Sequence, residues 1–364
     1  MAKTLEELDK LIQSVNKEYG DGSVMKISGR KGINKIPRWD ISSLGISYVM
    51  GGGLPKGRIL EVYGKESSGK TSLACYLLGQ IQQAGKDVLY IDAENALDID
   101  YAETMGLNIN DAIISQPSSG EDALNIAQKF TESGLVGGIV IDSVSALTPK
   151  AELEGAMDDQ QIGLQARMLG KACRKLAAVL NKQQVTLIFI NQTRVNIGGF
   201  SSYGPPPEVT SGGKALKFYS SIRLETKSRD RITEGPNHIG LVSKITARKN
   251  KTAPPMRDYE LKIIFGKGYQ LEEEYVDFAL KYDVFNKKGP WYYYMVDGEE
   301  KKFQGKKAVE DWLSENPKIF EEVKTKVEAA MNPVLVDQED IVVDPEPEVA
   351  EDEYGEVLDE LPEE

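Results

Sequence analysis

The chain has 364 residues, 40% of them hydrophobic, enough for one large α/β domain with smaller appendages. Its net charge of −13 is local: residues 337–364 hold fourteen acids and no Lys or Arg, leaving 43 acids against 44 bases over residues 1–336, so a basic groove for nucleic acid is not excluded. No apolar run is long enough to span a bilayer, the start MAKTLEELDK lacks a signal-peptide core, and the single histidine, His238, rules out a multi-histidine metal site, so a cytoplasmic protein is expected.

Thr4-Leu5-Glu6-Glu7 fits a capping box, and Leu5, Leu8, Leu11, Ile12 and Val15 form one apolar stripe. Together they predict an amphipathic helix ending near Gly20, packed on its own domain or on a neighbour. Arg58 to Tyr63 predicts a strand, and Gly64-Lys65-Glu66-Ser67-Ser68-Gly69-Lys70-Thr71 has the spacing of a phosphate loop. Gly64 and Gly69 allow a tight turn that points successive N–H groups at phosphate oxygens. The apolar run from Leu73 to Leu78 then opens a helix whose positive end faces the same anion. Lys70 would bridge the β- and γ-phosphates of a nucleoside triphosphate, and Thr71 would offer its hydroxyl to Mg²⁺.

Further strands are predicted at 87–92, 137–142 and 185–191, with helices at 121–133 and 162–181. Cys75 and Cys173 fall in helical segments and read as core thiols. Alternating strands and helices imply a parallel sheet whose ligand lies beyond the carboxyl ends of the strands. Glu94, Asp142 and Gln192 stand at that edge. Asp142 suits a water-mediated partner of Mg²⁺ or a loop-capping acid. Glu94 suits the base that orients the attacking water, or a solvated loop acid. Gln192 could touch the γ-phosphate and report on it.

Residues 193–213, TRVNIGGFSSYGPPPEVTSGG, form the longest stretch without apolar periodicity. Arg194, Phe200 and Tyr203, with Lys214 and Lys217 beyond, suit a single nucleic acid strand. The same loop would also serve as an active-site lid. A second irregular stretch, 154–162, precedes the helix bearing Arg167 and Arg174. Residues 216–225 read as helix then strand and 239–248 as a strand, closing the sheet with antiparallel members. Lys249 and Lys251 read as guards of a solvated edge strand. From Leu271 a small α/β module is expected: a helix over 275–282, a hairpin turning at Asp297-Gly298, and helices near 308–313 and 319–327. The acidic segment from Pro333 cannot bury enough apolar surface to fold alone.

With these residues in view, the chain resembles the bacterial RecA recombinases, as a divergent member of bacterial or phage origin. The likeness runs from about Leu5 to Phe320. It rests on GRILEVYGKESSGKT at 57–71, YIDAENALD at 90–98, VIDSVSALTPKAELEG at 140–155, LIFINQTR at 187–194, GGKALKFY at 212–219 and KNKTAPP at 249–255. It implies a P-loop NTPase core of RecA type, with a mixed, mostly parallel central sheet, an N-terminal helix and a small C-terminal α/β domain. The expected division is 1–34 for protomer docking, 35–268 for the ATPase core, 269–332 for the small domain and 333–364 for the acidic tail.

The implied activity is ATP-dependent strand exchange by filaments on single-stranded DNA, paired with homologous duplex, in recombinational repair. ATP and Mg²⁺ are the implied cofactors. Repressor-type proteins, through SOS co-protease activity, and single-strand-binding proteins are implied partners. Glu94 matches the residue that activates water and Gln192 the glutamine that couples the γ-phosphate to the DNA loop, with Lys70 the third residue of the catalytic set. Gly64, Glu66, Ser67, Ser68, Gly69, Lys70, Thr71 and Ser72 match the phosphate cradle, Thr71 and Asp142 the metal site, and Asp98 and Tyr101 the surroundings of adenine. Lys249 and Lys251 match lysines that reach the nucleotide of the adjacent protomer, which replaces the edge-strand reading. The N-terminal helix likewise becomes a segment that docks on the neighbour. DNA contacts are implied in the loops 154–163 and 193–213, at Ile162, Gly163, Arg167, Arg174, Arg194, Ile197, Gly198, Gly212 and Gly213.

Two stretches depart from the family pattern. The second loop is longer and carries Pro205-Pro206-Pro207, and Trp39 to Gly45 replaces a Ser/Thr-Gly-rich run. A hexameric motor on the same core and a non-catalytic, ATP-gated DNA scaffold are the alternative readings. A motor would displace strands without homology, and a scaffold would keep its activity after Glu94→Gln.

Overall fold

The structure, a computed structural model, describes residues 2–20, 23–24, 36–155, 163–195, 208–296 and 298–331. It opens on helix α1 (Ala2–Tyr19), which already includes Thr4, so the expected capping box does not set the helix start. Ala2 and Lys3, both of good helix propensity, extend the helix ahead of Thr4. Leu8 and Leu11 of its apolar stripe are solvent-exposed. Next come β1 (Arg38–Trp39), α2 (Leu44–Met50) and β2 (Leu54–Pro55), all too short for periodicity to announce. The Ser43 hydroxyl caps α2 by accepting from the amide of Ile46, and Gly51 ends it at φ 86°.

The core follows as β3 (Ile59–Gly64), α3 (Lys70–Gln83), β4 (Asp87–Asp92), α4 (Ile99–Thr104), β5 (Ala112–Ser115) and α5 (Gly120–Ser133). It continues through β6 (Val136–Asp142), α6 (Lys150–Glu154), α7 (Leu164–Gln183), β7 (Thr186–Val195), β8 (Glu208–Thr210) and α8 (Ala215–Tyr219). It ends with β9 (Ile222–Glu234), β10 (Asn237–Asn250), β11 (Asp258–Ile264) and β12 (Gly268–Tyr269).

Among the described residues these strands form a ten-stranded sheet, ordered β12-β11-β10-β9-β3-β7-β6-β4-β5, with β8 hung on β7. Strands β9 through β5 in that order are parallel, and β10, β11 and β12 add antiparallel members. Two apolar layers follow from strand alternation. Leu60 and Val62 of β3 and Ile188 and Ile190 of β7 pack with Leu73, Leu77 and Ile81 of α3. Ile59, Leu187 and Phe189 face Leu124 of α5 and Leu169, Leu176 and Leu180 of α7. Cys75 and Cys173 are free thiols buried in these layers, where burial pushes each up to about 12.

Three expectations change. Strand β7 runs four residues past Asn191, so Gln192 lies within the strand, opposite Gly64. The stretch 193–213 is not irregular at its ends, because Thr193–Val195 pair antiparallel with β8. Its Gly, Pro and Ser content hid strands that a ladder to a neighbour stabilises. The helix expected at 162–181 starts two residues later, with Gly163 as its N-cap at φ 76°. Ile162, Ile197, Gly198, Phe200, Tyr203, the turn residue Asp297 and the tail lie outside the described residues.

The C-terminal module comprises α9 (Glu272–Lys281), β13 (Asn286–Lys288), β14 (Trp291–Val296), β15 (Glu299–Gln304), α10 (Lys306–Glu315) and α11 (Pro317–Met331). Phe278, Phe285, Tyr292, Tyr294, Val309 and Val323 form its core. Glu274 of α9 joins it to the main sheet domain. Its buried carboxylate accepts from the Ser43 hydroxyl at 2.7 Å and from the Gly45 amide at 3.0 Å. Gly45 leaves room for Tyr259, whose ring would meet an added Cβ at 2.1 Å. No helix among the described residues is long and apolar enough to cross a membrane.

Candidate nucleotide site and DNA-facing surface

The carboxyl edge of the parallel strands brings the expected residues together. Gly64 ends β3 where a Cβ would stand 2.3 Å from the carbonyl oxygen of Thr226, so only glycine lets β9 come this close. Gly69 caps α3 at φ 88°. Between them the loop is fastened from below. The Ser68 hydroxyl donates to the Lys65 carbonyl at 2.7 Å and meets the Thr226 hydroxyl at 2.8 Å, while Ser243 of β10 donates to the Ser68 carbonyl at 2.9 Å. Glu66 and Ser67 face solvent above this cradle.

Lys70 is buried, with Nζ donating to the Lys65 carbonyl at 2.7 Å, and burial lowers its pKa below the usual ammonium range. A phosphate would offer this ammonium the countercharge that the carbonyl supplies only in part. The Thr71 hydroxyl donates to Asp142 Oδ2 at 3.0 Å, and the Tyr90 hydroxyl to the same oxygen at 2.6 Å. Burial raises the Asp142 carboxyl above its usual range, against those two hydrogen bonds. A half-buried carboxylate beside a hydroxyl is a hard-oxygen pair that gains from a divalent cation and fits Mg²⁺. The described residues hold no group of three or more His, Cys, Asp or Glu placed to hold a metal ion, and a Mg²⁺ that shares its shell with substrate phosphates needs none.

Glu94 follows β4 in a loop held by Asp92, whose carboxylate accepts from the amides of Ala96 and Leu97 and from Gln116. Its carboxylate accepts from the Ser143 hydroxyl and, at 3.3 Å, from the Gln192 amide. Ser143 also meets Ser145 at 2.7 Å. Glu94, Gln192 and Asp142 therefore form one cluster beside the phosphate loop. Asp98 has a local duty as N-cap of α4, accepting from the Tyr101 amide at 3.0 Å. The Tyr101 hydroxyl in turn meets Ser72 at 2.6 Å, which brings Ser72 and Tyr101 together beside the first turn of α3.

The arginines among the expected DNA residues lie on two elements, α7 and β7. Arg167 and Arg174 are two helical turns apart on the exposed side of α7, with Lys171 between them. Arg194 is exposed on β7 opposite Val209. Gly212 and Gly213 have φ of 80° and 73°, and added Cβ atoms would press on Leu169 and Ala166 of α7 at 2.4 and 2.8 Å. They seat the end of the second loop against the helix that follows the first. The start of α7 is anchored in turn by Gln165, which donates to the Val144 carbonyl at 2.8 Å.

Lys249 and Lys251 are not gathered here. Ser243 touches the phosphate loop, and six further residues of extended β10 carry Lys249 about 20 Å away, toward the opposite edge of the sheet. There Lys249 Nζ donates to the carbonyls of Lys217 and Phe218 at 2.7 and 3.0 Å, and Lys251 to that of Phe218 at 3.3 Å. Burial, then the neighbouring Lys251 and Arg223, bring the Lys249 ammonium down to about 8.

Sequence reasoning missed Tyr90, Ser143 and Glu61. Ser143 left no periodic signal, but it follows Asp142 directly. Glu61 did leave one: a charge inside an otherwise apolar strand.

A strand that ends in a glycine-framed anion cradle, with a hydroxyl and a half-buried acid beside it, defines a P-loop nucleoside triphosphatase. The profile described as RecA N-terminal domain matches residues 6–270, and that described as RecA C-terminal domain matches 273–332. The chain is 43% identical to Protein RecA of Campylobacter jejuni subsp. doylei over 325 residues, covering 89% of this chain and 93% of that one. It is 44% identical to Protein RecA of Staphylococcus epidermidis over 321 residues, covering 88% and 90%. Among solved structures, the RadB recombinase aligns at a TM-score of 0.46 and 22% identity, over 62% of this chain and 96% of that one. The chain belongs to the RecA family. It is a nucleotide-binding, DNA-dependent ATPase that acts as a recombinase in DNA repair, binding DNA and forming filaments.

Proposed function

We propose that ATP with Mg²⁺ is held between adjoining protomers, and that its state governs the grip of the filament on single-stranded DNA during exchange with a homologous duplex. The observation that carries this reading is the hydrogen bond from Gln192 to Glu94. Strand β7 holds Gln192 beside the phosphate loop and, two residues on, projects Arg194 at the start of the second loop. One strand therefore senses the reacting centre and presents the DNA contact.

Bound Mg²⁺ would neutralise charge on the phosphates. Thr71 and Asp142 are the residues that would hold it, Asp142 through water. The loop amides between Gly64 and Lys70 bind the phosphates, with Lys70 moving from the Lys65 carbonyl to a phosphate oxygen. Glu94 accepts a proton from water, and Ser143 and Gln192 fix its orientation. Ser72 and Tyr101 border the base. The lysine pair at 249 and 251, too distant for its own loop, serves the neighbour's nucleotide.

Single-stranded DNA follows Arg167, Arg174 and Arg194, with the loops 154–163 and 193–213 around it. Duplex is received on the outer face of β14, where Trp291 and Tyr293 are flanked by lysines. The Lys302 ammonium lies 4.1 Å from the centre of the Trp291 ring. The division into 1–34, 35–268, 269–332 and 333–364 follows this assignment of roles, with the protein in the cytoplasm. Repressor-type and single-strand-binding proteins are the further partners it carries.

The test is strand exchange with homologous and non-homologous duplex, with and without ATP. Exchange that needs both homology and ATP, and turnover lost in Glu94→Gln, is the expected result. Strand displacement without homology would instead identify a translocating motor.

A further inference from the structure

Glu61 lies in the middle strand of the sheet with no exposed surface, and nothing in the nucleotide site uses it. A buried carboxylate is costly unless paired and hydrogen-bonded on both oxygens. Here Oε1 accepts from Asn191 Nδ2 at 2.9 Å and Oε2 accepts from Arg223 Nε. Asn191 Nδ2 also donates to the carbonyl of Ser211, at 3.0 Å, immediately before Gly212 and Gly213. The Arg223 guanidinium stacks 4.4 Å from the centre of the Tyr63 ring.

The register extends this pairing. Glu61 stands opposite Arg223 across β3 and β9, and Arg223 stands opposite Lys249 across β9 and β10. A register irregularity between Ala247 and Lys249 makes this possible. Ala247 points into the α3 layer, whereas Lys249 reaches the α8 carbonyls on the other face, where Glu61 and Arg223 lie. Four adjacent strands thus carry one polar row: Asn191, Glu61, Arg223, Lys249. One end holds the base of the second loop. At the other end is a lysine docked on α8, the helix that the same loop leads into.

We propose that Glu61 is a positioning residue for Lys249, tying the seat of the second DNA loop to the lysine that serves the adjoining nucleotide. The proposal rests on the reading of Lys249 given above. Lys249 has two alternatives, the α8 carbonyls or a neighbour's phosphate. The Asn191–Glu61–Arg223 row biases the choice, because movement of Ser211 alters the bonds that hold Glu61 and, through it, Arg223.

The test uses the full-length chain with ATP and oligo-dT, comparing Glu61→Gln, Lys249→Met and the double variant. Glu61→Gln should lower the kcat of DNA-stimulated ATP turnover about ten-fold, within the range of coupling between sites. Its KM for ATP and its affinity for a fluorescent ATP analogue without DNA should stay within about two-fold. The double variant should lose no more than Lys249→Met alone. Additive losses, or a Glu61→Gln protein with full stimulation beside an impaired Lys249→Met, would overturn the proposal and leave the lysine reading standing. Full stimulation in Lys249→Met would overturn that reading, and the proposal with it. Should Glu61→Gln not fold, the double apolar exchange Glu61→Leu with Arg223→Leu removes both buried charges together and is read by the same criteria.

Discussion

At the scale of single residues, the proposed chemistry turns on where Glu94 points. The loop that carries it is fixed by Asp92, and its carboxylate is aimed by Ser143 and Gln192. Ser143→Ala removes one of the two donors without touching the phosphate cradle. DNA-stimulated kcat should fall about ten- to a hundred-fold, the cost of a misplaced reacting group, with little change in KM for ATP. Ser143→Thr should restore part of the rate. A parallel rise in KM would show that the serine supports the nucleotide pocket rather than the base. The residues of the cradle were legible in the sequence because strand, glycine turn and helix are consecutive and their spacing is set by the phosphates. Ser143 was not, because its role depends on β6 and β4 lying side by side, which no local pattern encodes. Asp98 shows the converse. The resemblance implies a place for it near adenine, whereas the duty the structure shows is local: it caps the helix bearing Tyr101.

At the scale of elements, the regular parts were read from alternation and period, and the short ones were not. Strand β5 is four residues long with Ile113 and Ile114 both exposed, so neither length nor alternation marks it. Helix α2 has seven residues, and it matters because it joins the two parts of the molecule. Ser43 and Gly45 at its start bind Glu274 of α9, and Tyr76 supports the same corner by accepting from the Ser43 amide at 2.8 Å. Burial pushes the Glu274 carboxyl up to about 7, against the hydrogen bonds from Gly45 and Ser43 and with Asp277 nearby. Between the ordinary glutamate value and about 7, the folded chain keeps a proton that the unfolded chain has lost. The contribution of this group to stability is therefore complete below the unfolded pKa and is lost as pH rises through about 7. Glu274→Gln can keep both contacts, its carbonyl accepting from Gly45 and its amide donating to Ser43. Its melting temperature should consequently vary less than that of the parent between about pH 5 and pH 8. Identical slopes in calorimetric scans would show that Glu274 does not titrate in this window.

At the scale of the whole molecule, charge is divided between a near-neutral body and an acidic end, and that division has a measurable consequence. Residues 337–364 hold fourteen acids without a compensating base. The segment leaves α11, in the same small module whose outer β14 face carries Trp291 and Tyr293 beneath Lys288 and Lys302. In the proposed competition, a tethered polyanion would meet such a face at an effective concentration on the order of millimolar, which free duplex would have to match. Both contacts are electrostatic, and both weaken as the screening length shortens to about 10 Å near 0.1 M salt. Removing residues 333–364 should therefore strengthen duplex binding most at low salt, by about ten-fold, with the two titrations converging as salt rises. Lys302→Ala should reduce that gain, because the surface the tail and the duplex contend for is then weaker for both. Duplex affinity that is the same with and without the tail across the whole salt titration would remove competition as its role.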